Sequence, residues 1–413
     1  MHNEYTRTRY VYLILILGSL TALGPFSIDM YLPGFPAIAK DLGTDASSIA
    51  YSLSSFFIGI SAGQLLYGPL LDRFGRKKPL YIGLVLYILA SVGCVYASTL
   101  NSLIVLRFVQ AIGSCAATVA SVAMVRDLFP IKENARVFAL LMLVLGTSPM
   151  IAPTVGSYIT SAFGWHAVFV VLSIIGALVL LATIIGLPES YKPDTSMSLK
   201  PRPIINNFIQ VLTEPQFYTY AFTGAIGFSG LFAYVSGSPQ IFMNIYKLTD
   251  KQYGWVFAGL SVGFIGAGQV NSFLLRRFES RQIVPITLMG QAISGLIFVF
   301  CAWNDLLNLP GIIALLFINL AFCGCLNPNT AALSIAPFDK NAGSASALMG
   351  ALQLGLGALI STLISAWHMS TPTPLAIAMC VPAILAMIVL MTGRKRIGNT
   401  VTSPGKSEAV MVH

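Results

Sequence analysis

Asp29 and Arg107 stand apart from the rest of the 24 Lys and Arg and 15 Asp and Glu residues, because they alone fall well inside hydrophobic segments. Every other charge lies between those segments or near their ends. An ionisable group in hydrocarbon is costly, so by default it faces a partner or a wet cavity. One acid and one base, each alone in its span, predict a polar pathway through a membrane protein. A transporter is the first reading of such a pair.

The elements that must position this pair are long apolar helices. The chain has 413 residues, 56% hydrophobic and 9% charged, with mean hydropathy +0.78. A soluble domain carries roughly 25% charged residues. Spans of about 20 apolar residues are expected at 10–32, 47–71, 79–98, 101–125, 137–162, 165–187, 215–238, 252–275, 282–303, 310–335, 343–367 and 373–393. The fold class is therefore all-α integral membrane, with twelve transmembrane helices. The first apolar stretch is too long for a signal-peptide core and reads as a retained helix.

The net charge of +9 does not point to nucleic acid, because of where the charge sits. The amino terminus, the even-numbered loops and the carboxyl tail hold 20 of the 24 Lys and Arg, against Lys40, Lys247 and Lys251 in the odd-numbered loops. By the positive-inside rule both termini are expected in the cytoplasm. All six cysteines fall in expected spans, which argues against a disulfide framework. No histidine lies deep in a span, and no metal constellation or cofactor motif is present. No phosphate-binding loop of the G-x-x-x-x-G-K type, ending in Ser or Thr, appears either, so ATP is not expected to drive the protein directly.

Residues 188–214 form the longest polar stretch and read as a cytoplasmic linker between an amino-terminal six-helix bundle (1–187) and a carboxyl-terminal one (215–393), with a tail at 394–413. An internal echo supports the division. Ala62-Gly63-Gln64 precedes Leu70-Leu71-Asp72-Arg73-Phe74, and Ala267-Gly268-Gln269 precedes Leu274-Leu275-Arg276-Arg277-Phe278. A direct repeat of six-helix units is the expected signature of a transporter with two pseudo-symmetric halves.

Three further motifs carry mechanism. The loop after the second span runs from Gly68 to Lys78, with Gly68 expected to allow close helix approach and Gly75 a tight turn. In it Asp72 stands beside Arg73 and Arg76, at the same depth as Arg126-Asp127, so a charge-assisted latch is expected there. Arg107 begins an R-x-x-Q pair with Gln110. In the fifth span Pro149 and Pro153 with Gly146 and Gly156 are expected to kink the helix and serve as a hinge.

By these residues the chain resembles the major facilitator superfamily, whose cytoplasmic signature G-x-x-x-D-R-x-G-R with two further basic residues is matched at Gly68–Lys78. Arg107-Phe108-Val109-Gln110 followed by Gly113, and the fifth-span run Gly146 to Ser157, resemble motifs of its drug/proton antiporters. Asp29-Met30-Tyr31-Leu32-Pro33 narrows the likeness to the bicyclomycin/chloramphenicol-resistance group of bacterial exporters. Departures exist: Ala111 follows Gln110, Ala152-Pro153 replaces Gly-Pro, and Thr21 to Gly24 hold no second acid.

The resemblance implies two six-helix bundles in the bacterial inner membrane, working as a monomer by alternating access on a small molecule and protons. Proton-coupled export of lipophilic, antibiotic-like molecules is the expected function, with a proton-linked metabolite carrier, for a nucleoside for example, as the alternative. Asp29 and Arg107 lie at similar depth in the outer half, so Arg107 is expected to pair with Asp29 and keep it charged while no ligand is bound. The bland alternative has both reaching to the outer interface as snorkelled charges. Tyr31, Gln110, Phe232, Tyr234, Asn327 and Gln353 are the expected pocket residues, offering aromatic faces and uncharged amides.

Overall fold

The computed structural model describes residues 7–194, 201–338, 342–367 and 369–397. Among them the secondary structure is all helical, and every expected span is a helix. Helix α1 (Arg7–Asp29) leads through a 3-10 turn (Leu32–Gly34) into the short α2 (Phe35–Asp41). There follow α3 (Ala46–Phe74), α4 (Lys77–Val95), α5 (Leu100–Leu128), α6 (Ile131–Phe163) and α7 (His166–Gly186). After α8 (Pro201–Thr213) come α9 (Pro215–Pro239), a π-helical turn (Gln240–Ile245), α10 (Asp250–Leu274), α11 (Ser280–Trp303), α12 (Leu309–Ile335), α13 (Ala342–Ala366) and α14 (Thr373–Ile397).

Local chemistry sets several boundaries. Asp45 accepts from the Ser48 amide at the start of α3 (2.7 Å), Thr99 and Ser102 form a reciprocal cap on α5, and Asn308 accepts from the Gly311 amide at α12 (2.9 Å). Each satisfies an amide that a helix start leaves without a partner. Large apolar side chains face outward, as Ile82 and Leu89 do at 69% and 64% exposure. Water would penalise that surface, whereas lipid does not.

Eleven of the helices among the described residues are long and apolar enough to cross a membrane. Helix α9 occupies the seventh of the twelve expected places but is too polar to join them. Burial explains its composition. Of its 25 residues 20 are buried, including Thr219, Tyr220, Thr223, Ser229 and Ser236, so its surface meets neighbouring helices rather than lipid.

The described chain divides into two compact units, residues 1–200 with 248–258, and 201–247 with 259–413. Each unit packs alike. In the first, α1 packs on α5, α6 and α7, and α4 on α5 and α7. In the second, α9 packs on α12, α13 and α14, and α11 on α12 and α14. The same pairings recur six spans apart, as the echo between Ala62 and Ala267 predicts. Even a thiol repeats the pattern, with Cys115 donating to the Ile60 carbonyl (3.5 Å) and Cys325 to that of Ala267 (3.2 Å).

Two boundaries differ from expectation. The stretch 188–214 is not all linker, because 201–213 forms α8, whose Val211 is fully buried. Its apolar residues recur at helical spacing inside a polar composition, which masks them in a simple reading. The expected tail begins late, since α14 continues through Arg394 to Ile397, and 398–413 lie outside the described residues.

Candidate functional site

The site in the first unit begins with the end of α1. Pro33 has no amide hydrogen to offer the Asp29 carbonyl four residues before it, and its ring would clash with that carbonyl in a continued helix, so α1 stops there and the chain turns at Met30 and Tyr31. A helix end leaves its last four carbonyls without backbone donors. Arg107 of α5 supplies one donor, its Nη2 reaching the Ser27 carbonyl at 2.8 Å. A cation at a helix carboxyl end is also favoured by the helix dipole.

The Arg107 guanidinium is fully buried and held on several sides. Nη1 donates to Gln110 Oε1 (2.6 Å), and Gln110 Nε2 donates to Ser91 Oγ of α4 (2.7 Å). The guanidinium carbon lies 4.2 Å from the ring centres of both Tyr31 and Phe56, a cation–π arrangement that strengthens away from water. Tyr31 shares a hydrogen bond with Ser52 of α3 (3.1 Å), and Ser27 with Tyr87 of α4 (2.8 Å). One cation thereby joins α1, α3, α4 and α5.

Asp29, the last residue of that helix, is 4% exposed. Its carboxylate finds no hydrogen-bond or ion-pair partner among the described residues. The expected pairing with Arg107 is therefore corrected: the guanidinium is occupied by Ser27, Gln110 and two rings. Neither side chain snorkels outward, since both are buried. Gly156 of α6 completes the surroundings, because a Cβ there would collide with the Met30 carbonyl. Only glycine lets α6 approach the chain immediately after Asp29. Helix α6 itself runs unbroken through Pro149 and Pro153.

Two of the expected pocket residues change role. Tyr31 and Gln110, at 1% and 0% exposure, hold Arg107 rather than line a pocket. Asn327 and Gln353, in the second unit, are half-buried and bonded to each other, Gln353 Nε2 donating to Asn327 Oδ1 at 2.9 Å. Both line a cavity of about 10 Å³. Phe232 and Tyr234 do not border it; Phe232 packs edge-on against Phe228 (5.6 Å between ring centres) and presses on Gly357. The reading from sequence missed Tyr220 and Thr330, which line the same cavity, since a tyrosine and a threonine among apolar residues carry no local signal.

The loop latch centres on one residue. Arg76 pairs with Asp72 (2.6 Å) and with Asp127 (2.8 Å), and its guanidinium carbon lies 4.3 Å from the Tyr191 ring centre. Burial works against the Arg76 cation, but its hydrogen bonds to Asp127 and Asp72 outweigh that and hold its pKa above the ordinary value. Gly75 turns with φ +82°, a conformation that favours glycine.

The segment after α7 straps over this cluster. Glu189 accepts from the Arg76 and Lys77 amides (2.7 and 3.2 Å), and Ser190 donates to Asp127 (2.9 Å). That strap was not foreseen, because Pro188, Glu189, Ser190 and Tyr191 read as linker. Two expectations are corrected. Arg126 is exposed and enters no ion pair among the described residues. A Cβ on Gly68 would meet open space, so no close helix approach occurs there. Arg73 lies 5.8 Å from the Phe74 ring centre.

Known proteins share this plan. The bicyclomycin resistance protein homolog of Haemophilus influenzae is 32% identical, covering 92% of this chain and 96% of that one. The chloramphenicol resistance protein of Pseudomonas aeruginosa is 28% identical, over 86% and 85%. Among solved structures, a D-xylose–proton symporter superposes with a TM-score of 0.73 at 16% identity, covering 93% of this chain and 99% of that one. That likeness bears on fold alone. Residues 17–362 match the Major Facilitator Superfamily, and the chain belongs to that superfamily, in its bicyclomycin/chloramphenicol-resistance group of bacterial multi-pass membrane transporters.

Proposed function

We propose that the protein exports small lipophilic, antibiotic-like molecules in exchange for protons, by alternating access across the bacterial inner membrane. The observation that carries this reading is Asp29: an acid 4% exposed, with no partner among the described residues, at the broken end of a membrane helix. A carboxyl group so placed can take up and release a proton without first breaking a salt bridge. Arg107 acts on it indirectly by pinning the last turn of α1 and so fixing where the acid stands.

Asn327 and Gln353 are the polar groups that orient a bound molecule, and the Arg76 cluster is the cytoplasmic latch. Pro149, Pro153 and Gly156 shape the helix that packs behind the acid. The two relatives named for bicyclomycin and chloramphenicol resistance suggest the substrate class, and the distribution of Lys and Arg supports cytoplasmic termini. In everted vesicles carrying an imposed pH gradient, Asp29→Asn is expected to abolish proton-driven flux of chloramphenicol while leaving protein levels unchanged. Undiminished proton-coupled flux in that variant would remove Asp29 from the mechanism.

A further inference from the structure

Basic side chains converge at one end of the second unit. Helix α14 closes on Arg394, Lys395 and Arg396, and Arg276 and Arg277 follow α10. Arg281 stands in the first turn of α11. Helices α11 and α14 pack on one another, and the Arg394 guanidinium donates to the Arg281 carbonyl, so the two ends meet. Glu279, 3.4 Å from Arg281, is the one acid in 276–282 and 394–397. Arg277, Lys395 and Arg396 are exposed and enter no ion pair among the described residues.

Ordinary roles account for part of this. The positive-inside rule asks for basic residues in a cytoplasmic loop, and the helix dipole favours cations in the last turn of α14. Neither draws the cations of separate helices together, where they repel. Neither explains Arg281, since a cation in the first turn of a helix opposes the dipole. An anion held between the two ends would answer both points. Guanidinium groups suit phosphate in particular, because their planar fork meets two of its oxygens at once.

The surface beside the cluster says which kind of phosphate. On α14 Ile384, Ile388 and Met391 are exposed, and Lys395 continues their helical spacing. On α11 Ile286, Met289 and Ile293 are also exposed at helical spacing, just past Arg281. Two apolar stripes thus lead to the basic cluster from the surface that lipid chains cover. We propose that the ends of α11 and α14 hold the phosphate of an anionic phospholipid whose acyl chains lie along these stripes. Arg281, Arg394, Lys395 and Arg396 contact its headgroup. By the distribution of Lys and Arg, the lipid belongs to the cytoplasmic leaflet. The site is independent of what the protein transports.

Purified full-length protein in a neutral detergent is titrated with phosphatidylglycerol and with phosphatidylcholine of the same chains, and bound lipid is counted by native mass spectrometry. The wild type is expected to hold phosphatidylglycerol at least about thirtyfold more tightly than phosphatidylcholine. Lys395→Gln combined with Arg396→Gln should weaken phosphatidylglycerol binding about thirtyfold, and Arg281→Gln about fivefold, as for two basic residues and one at an anionic surface. Phosphatidylcholine binding should not change. A control that combines Lys192→Gln with Arg202→Gln removes two exposed charges elsewhere and should bind both lipids as the wild type does. Equal wild-type affinity for the two lipids, an unaffected Arg281→Gln, or the same loss in the control would overturn the site. Displacement of the lipid by millimolar inorganic phosphate would also overturn it, by assigning the cluster to a soluble phosphate.

Discussion

Arg107 shows why a charge in a membrane helix need not meet an opposite charge. Its guanidinium offers five donors in a planar fork, and here a carbonyl, an amide oxygen and two aromatic rings surround it. Lysine has neither the fork nor the flat face that lies against Tyr31 and Phe56. Arg107→Lys is accordingly expected to cost ~2 kcal/mol through lost charge-assisted bonds, read as a lower melting temperature in detergent. Proton-driven transport should fall with it, because the end of α1 is no longer pinned. The R-x-x-Q spacing was legible because residues three apart share a helix face. That Gln110 would serve Arg107 rather than a ligand was not, since the spacing is equally compatible with both.

At the scale of elements, the break after α1 and the helix packed behind it form one device. Proline stops α1, Arg107 caps it, and Gly156 lets α6 press against Met30. Gly156→Ala places a methyl group against a backbone carbonyl that cannot swing aside. Overpacking of this kind costs ~1–3 kcal/mol, and because the displaced carbonyl adjoins Asp29, proton coupling should suffer more than stability. Comparing proton-driven flux with melting temperature in the same variant checks that ordering; equal flux in both proteins would detach Gly156 from the acid. The latch follows a similar logic. Arg76 and its two carboxylates could be anticipated from the loop, whereas the strap through Glu189 and Ser190 depends on where the chain goes after α7.

The whole molecule is two units built on one packing plan, and the distribution of its basic loops predicts the direction in which it is threaded through a bilayer. Orientation predicts a labelling pattern. Cysteine placed at Thr249, in an odd-numbered loop, should react with a membrane-impermeant maleimide added to intact cells, and cysteine at Asn207, in α8, should react only in everted vesicles. The reverse pattern would invert the protein in the membrane. Composition and period alone determined the helical class, the span positions and the likeness to a family. Those properties follow from hydrophobic length, from the scarcity of charge within spans and from short motifs, all of which are local along the chain. Tertiary structure alone decided that Arg107 would ignore Asp29, that α9 would be polar because it is enclosed, and that Gln353 would bond to Asn327 across two helices. Partner choice among buried polar groups depends on angles and distances between segments far apart in sequence, and no local pattern encodes those.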